Sequence, residues 1–315
     1  MGKYIIRRVL AILLVLWAVA TLTYFTVHVT PGDTAMAILI ERDGPEAVNE
    51  ETLNFIRTKF DLSRPISVQY FEWLGNAVRG NFGISYRNNM PVKDMLSIRL
   101  PNTLKLGGTA CLISLLIALP LGVMSALKHN KLLDHLSRIL TLALSSFPGF
   151  WLAIMGIVLF SIKLNWLPTS GMNTPSSIIL PALTLSVGMT AATTRMLRSS
   201  MLDVMNQDYM IVARSKGLSK SRTIVSHGFR NAIPPIITIV GLQIGHILGG
   251  AVIIENIFAW PGIGDLFINA VNSKDTPMIE GCVILISFGY AFINLVVDII
   301  YACIDPRVKY TNGGN

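Results

Sequence analysis

The chain has 315 residues, of which 52% are hydrophobic and 14% charged, with a formal net charge of +8. Soluble domains carry about 25% charged residues. This composition, with a mean hydropathy of +0.56, therefore excludes a pair of ordinary soluble domains and indicates a membrane protein. Cys111, Cys282 and Cys303 all lie in apolar stretches, an odd set that builds no disulfide framework.

Stretches of about 20 apolar residues mark transmembrane helices, and six are present, at 9–27, 106–127, 139–162, 178–194, 232–254 and 281–303. The first follows MGKYIIRR and exceeds the roughly 7–15 apolar residues of a signal peptide, so 1–30 is expected to remain as an N-terminal transmembrane helix. Residues 31–103 are polar and mixed in charge. Within 46–60, Leu53, Ile56 and Phe60 recur at helical spacing, a second helix is expected over 68–78, and Gly80, Gly83, Asn88, Asn89 and Pro91 mark a loop. This segment is expected to be an extracytoplasmic helical subdomain inserted between the first two spans. Residues 104–304 then form a five-helix core containing a polar loop at 195–233, and 305–315 form a tail. Pro120, Pro148, Pro181, Pro234 and Pro235 are compatible with membrane helices, where neighbours satisfy the freed backbone groups. The architecture expected is all-α with six transmembrane helices.

Six spans put both termini on one side. That side holds Lys3, Arg7, Arg8, Lys128, Lys131, Arg138, Arg307 and Lys309, together with the basic residues of 195–233. The two short loops opposite hold only Lys163 and Lys274. By the positive-inside rule both termini are cytoplasmic, and the net charge marks topology and anionic lipid instead of nucleic acid.

Enzymatic signatures are missing. The sequence has no G-x-x-x-x-G-K-[ST] phosphate cradle, no G-x-S-x-G and no H-E-x-x-H. Its histidines, at 28, 129, 135, 227 and 246, show no metal-ligand spacing. No catalytic residue and no metal ligand is assigned, and no cofactor is expected on this chain.

What stands out instead is DYMIVARSKGLSKSRTIVSHGFRNAIPP, set between two apolar spans. Connections between bundled helices are usually about 2–8 residues long, so a structured polar loop of this length needs a reason. Asp208 is placed to cap a short helix and Gly217 to end it in a left-handed conformation. Ala213 and Gly217 are four apart, on one face, where small side chains permit close approach of a partner. Arg214 and Lys216 are available to acidic groups on that partner. Asp208, Tyr209, Ala213, Arg214, Ser215, Lys216, Gly217 and Pro234 are the candidate docking residues.

The stretch ARSKGLSKSRTIVSHGFRNAIPP resembles the permease loop of ATP-binding-cassette (ABC) importers, the EAA loop, matching at Ala213, Gly217, Ile233 and Pro234 or Pro235. The acidic residue that opens the family pattern is absent; Val212 precedes Ala213. DLSRPISVQYFEWL, GNFGISY, LPNTLKL, SFPGFWLAI, WLPTSGM, RSSMLDVMNQDY, IIENIFAWPGIG and NLVVDIIYACIDPRVK extend the resemblance to the peptide and nickel branch along nearly the whole chain. The resemblance implies a type I ABC importer permease in the bacterial inner membrane. Its implied partners are a homologous second permease, two cytoplasmic ATPases that use ATP and Mg, and an extracytoplasmic binding protein. The loop helix would dock on one ATPase.

In the fifth span, Gly241, Gly245 and Gly249 repeat every four residues, the small-residue pattern of close helix packing. Gln243, His246 and Glu255 are candidates for the translocation path, with an interhelical hydrogen bond as the plainer role for His246. Asn294 and Asp298 share a face of the sixth span. Trp260, Pro261, Gly262 and Gly264 make a rigid turn, either part of an outer gate or an interfacial anchor. The IIENIFAWPGIG and SMLDV stretches resemble nickel permeases more than dipeptide ones, which implies nickel or a metal chelate as cargo, with di- or oligopeptides as the alternative. An ion-driven secondary transporter is the rival of another class, and would show inverted repeats.

Overall fold

The computed structural model describes residues 2–29 and 32–304, with the side chains at 2–5, 214, 220, 221, 246, 248, 250 and 301–304 outside the description. The 305–315 tail expected from the sequence lies outside the described residues. Among them the chain is helical and contains no strand; Ile84 and Pro91 make a single antiparallel bridge. Two compact units are present. The first takes the chain up to Leu104 plus Ala259–Gly289, and the second takes Lys105–Phe258 and the chain from Tyr290.

Helices α1 (Gly2–Val29), α2 (Thr34–Asp43), α3 (Glu50–Lys59) and α4 (Ile66–Val78) open the first unit. Their ends are set by local chemistry. The Asp33 carboxylate accepts from Ala35 N at 2.9 Å. Asn49 and Thr52 form a reciprocal capping box, at 2.8 and 3.1 Å. Ala35, Ile38, Leu39 and Ile56 then bury their side chains together, leaving Glu50, Glu51 and Lys59 in solvent. The helix expected over 46–60 thus starts later, at the Asn49 cap.

Helix α5 (Val92–Leu127) has 36 residues, which at 1.5 Å per residue is about 54 Å against a hydrocarbon core of about 30 Å. The sequence places its start near 106, because Lys93, Asp94, Arg99, Pro101 and Lys105 look like loop. They are instead the polar extension of a spanning helix. Within the first unit, α5 approaches the start of α14 closely: a Cβ on Gly281 would stand 2.5 Å from Val92 Cγ1.

In the second unit, α6 (Leu132–Ser146) and α7 (Gly149–Gly156) replace the single third span expected over 139–162 and meet at a 98° bend. Pro148 causes the break: its ring displaces the preceding residue from helical geometry, and Phe147 is extended at φ −85°, ψ 138°. A π-helical turn, Ile157–Lys163, follows. Helix α8 (Ile179–Met205) continues through Arg195 and Arg198, where the sequence places its end. After it come α9 (Asp208–Ser215), α10 (Lys220–Thr223), α11 (Arg230–Ala232) and α12 (Pro234–Ile257). Helix α13 (Ile263–Asn272) belongs to the first unit, and α14 (Thr276–Ile304) closes the chain.

Among the described residues, four helical stretches are individually long and apolar enough to cross a bilayer: Ile6–Val29, Val92–Leu127, Pro175–Met205 and Thr276–Ile300. The third expected span is the bent pair, and the fifth qualifies only as a shorter apolar helix, Pro234–Gly245. Helix α6 shows which solvent the second unit was built for. Its buried residues are Asp134, Ser137 and Thr141. Leu132, Leu136, Ile139, Leu140, Leu142 and Leu144 face outward. A helix with polar groups inside and leucines outside is stable only where the outside is apolar.

Candidate functional site

The polar segment after α8 folds back on that helix. Asp208 starts α9, its carboxylate in the first turn where the helix dipole favours it. The end is made by Lys216 N donating to Val212 O at 3.1 Å, followed by Gly217 at φ +79°, a conformation strained for any residue with a Cβ. Met210 and Ala213 lie one turn apart on the inward side, and Ala213 is only 7% exposed. The sequence reading placed Ala213 with Gly217 on an outward face, and the structure corrects it. Met210 on the same stripe is fully buried. The open face is carried by Tyr209, Val212 and Ile211, the last 61% exposed, with Ser215, Lys216 and Gly217 exposed at its end. The Arg214 side chain lies outside the described residues.

The return leg is held at both ends. Asn231 Nδ2 donates to His227 O at 2.8 Å and to the Tyr209 hydroxyl at 3.3 Å. Ser200 Oγ on α8 donates to Ala232 O at 3.0 Å, just before Pro234 and Pro235, which bring no N–H of their own. Beneath the loop Leu197, Met201, Ile224, Ala232 and Ile236 pack with Ala126 of α5.

Alongside this packing sits an ion pair. Arg198 Nε and Nη2 reach the two Asp134 carboxylate oxygens at 2.6 and 2.8 Å. Asp134 is fully buried. It also accepts from Ser125 Oγ at 2.5 Å and Asn130 N at 2.9 Å. Ser137 Oγ donates to Ser125 Oγ at 3.0 Å, closing the network. A bidentate pair with every lone pair used is the arrangement that makes a buried charge tolerable. Sequence reasoning missed both residues. The available signal was the i, i+3, i+7 stripe of Asp134, Ser137 and Thr141 in an otherwise apolar helix.

In α12, Gly241 and Gly245 do form a packing seam. A Cβ on Gly241 would collide with Val297, and one on Gly245 would stand 3.2 Å from the Tyr290 ring, both on α14. Among the described residues nothing lies within 4 Å of a Cβ on Gly249, so no contact there extends the seam. Gln243 is engaged with α8, accepting from Thr193 Oγ1 at 3.2 Å and donating to Met189 O at 3.5 Å. Glu255 is fully buried. The His246 side chain lies outside the described residues.

The turn at Trp260 is likewise not an exposed anchor. Trp260 is buried and its Nε1 donates to Asn102 O at 3.0 Å, while Asn102 Nδ2 donates to Pro261 O at 2.8 Å and Ile263 N to Thr103 Oγ1 at 2.8 Å.

Against known proteins, residues 118–310 match the family model described as binding-protein-dependent transport system inner membrane component, and residues 1–107 match the N-terminal model of the same systems. The chain is 37% identical over 310 residues to the glutathione transport system permease protein GsiC of Escherichia coli K12, covering 98% of this chain and 100% of that one. The GsiC of Shigella dysenteriae serotype 1 shows the same figures, 37% with 98% and 100% covered. Among solved structures, the inward-facing MetNI methionine ABC transporter aligns with a TM-score of 0.56 at 17% identity, covering 67% of this chain and 96% of that chain. That likeness shows the fold. These relatives give nickel no support as the cargo and lie nearer the peptide alternative.

Proposed function

This chain belongs to the binding-protein-dependent transport system inner membrane components, and from that premise we propose that it carries peptide-class cargo of the chemistry of glutathione. It is a permease subunit of an ABC importer, an integral inner-membrane transport component and not itself an ATPase. The observation that carries the cargo reading is the 37% identity to a glutathione permease, sustained over 98% of the chain.

In this reading the subunit pairs with a second, homologous permease and receives cargo from an extracytoplasmic binding protein. Two cytoplasmic ATPases use ATP and Mg, and both termini of this chain are cytoplasmic. The exposed α9 face of Tyr209, Ile211 and Val212, with Ser215 and Lys216 at its end, docks on one ATPase. Asp208 and Gly217 fix the ends of that helix. Closure of the ATPases displaces α9, and the packed return leg passes the displacement to α8. The result is a population shift between two packings of the spans.

Reconstitution tests the whole. Proteoliposomes holding this chain, its partner permease, the ATPases and the binding protein should take up labelled glutathione or short peptides with internal ATP. Uptake driven by an ion gradient without ATP overturns the importer reading, and ATP-driven uptake of nickel alone overturns the cargo. Ile211→Asp should abolish ATPase co-purification while leaving the chain folded; retained assembly and full coupling count against the α9 face.

A further inference from the structure

Helix α4 has three distinct sides, and the transport reading gives a role to none of them. At helical spacing, Tyr70 and Trp73 fall on one side, Gln69, Glu72 and Asn76 on a second, and Val68, Phe71, Gly75 and Val78 on a third. The first side packs on α1. The Tyr70 hydroxyl is 2.7 Å from Thr21 Oγ1, the Tyr70 ring lies 5.3 Å from the rings of Tyr24 and Phe25, and the Trp73 ring lies 5.0 Å from Tyr24. The second side lines an open polar groove with Asp61, Arg64 and Asn81. The third side is bare. Phe71 is 70% and Val78 82% exposed, and Val68 and Gly75 are exposed beside them.

In water this apolar stripe would contribute nothing to stability, and a continuous exposed apolar surface marks a contact. The moorings on α1 fix where the stripe stands. The α1 span ends at Val29. At 1.5 Å per residue, Thr21 and Tyr24 lie about 12 and 8 Å short of that end. Helix α4 is therefore attached within the apolar length of α1 and not beyond it. At 100° per residue its bare side points away from the α1 contact, with the polar side between the two. On α1 itself Leu22, Phe25 and Val29 are exposed at the same level. The rings of Phe25, Tyr70 and Phe71, each 5.3 Å from the next, carry that surface across to α4.

We propose that α4 is an interfacial helix whose Val68, Phe71 and Val78 enter the acyl-chain region of the leaflet around the C-terminal end of α1, while Gln69, Glu72 and Asn76 face water. An amphipathic helix of this kind sinks its apolar face about 5–10 Å into the headgroup boundary, which matches the depth of the α1 contacts. Tyr70 and Trp73 then stand where amphipathic rings gather in membrane proteins. A soluble partner does not reach that depth. The inference rests on α1 crossing the membrane and is independent of the cargo.

Spin labels read the depth directly. Phe71→Cys, Val78→Cys and Glu72→Cys are each labelled in the full chain, reconstituted with its partner permease in vesicles of phosphatidylethanolamine and phosphatidylglycerol. The unsubstituted chain supplies the background from Cys111, Cys282 and Cys303. Oxygen concentrates among acyl chains, whereas a hydrophilic nickel chelate stays in water. The labels at 71 and 78 should relax faster with oxygen than with the chelate, at a depth of about 5–10 Å below the phosphates, and the label at 72 should show the opposite preference. Chelate access at 71 and 78 equal to that at 72 puts the stripe in water and overturns the proposal. Protection of 71 and 78 from both reagents overturns it too, because a protein surface then covers the stripe. Two independent label positions keep the test decisive if one variant fails to fold.

Discussion

Helices α3 and α6 are solutions to opposite solvents within one chain. In α3, Ile56 is buried with Ala35, Ile38 and Leu39, and the charged Glu50, Glu51 and Lys59 face out. In α6, Asp134, Ser137 and Thr141 are buried and the leucines face out. Both are amphipathic with helical period, and periodicity alone does not tell them apart. What differs is where the free energy comes from. Helix α3 gains by removing apolar surface from water. Helix α6 gains by giving each of its buried polar side chains a partner where none is offered by the surroundings.

The strongest way to break the α6 side of this contrast is Arg198→Ala, which leaves Asp134 buried and unpaired. A loss of about 3–5 kcal/mol is expected, read as a fall in the thermal midpoint of the detergent-purified chain. A fall no larger than that of an exposed control would sink the claim that the pair holds the network. Next comes Leu140→Asp, at a position 58% exposed. In water such a change is nearly silent, but facing hydrocarbon it costs about 2.5–3.5 kcal/mol. Membrane-insertion efficiency measures it, and normal insertion would show that this face meets water. On the α3 side, Asn49→Ala removes the capping box and should cost about 1 kcal/mol, visible as earlier hydrogen exchange in 50–59 only. Smallest of all, Glu51→Leu should change stability by less than about 0.5 kcal/mol. Measured with Leu140→Asp, it isolates solvent as the variable.

How far the sequence carried depended on whether the signal was local. The apolar stretches and the left-handed Gly217 after α9 were legible, because hydropathy and a turn glycine are properties of short windows. The loop's orientation was not. Ala213 looks like a docking residue by spacing, yet it is buried on one stripe with Met210. The Pro148 bend was read as a tolerated proline, yet it turns one expected span into two helices at 98°. The start of α5 was hidden by charges that suit a helix extending past the bilayer. Asp134 and Arg198 were passed over because each looks solvated alone, and the pair joins positions 64 residues apart.

That separation has a consequence for biogenesis. At roughly 5–20 residues per second, Arg198 leaves the ribosome some 3–13 s after Asp134. During that interval the carboxylate is served only by ligands already made, Ser125 Oγ and Asn130 N. These two local contacts are therefore the ones that shelter a nascent charge, and Arg198 is the late arrival that locks it. Chains arrested before residue 198 should be sensitive to Ser125→Ala, whereas in the finished protein Arg198→Ala should cost more than Ser125→Ala.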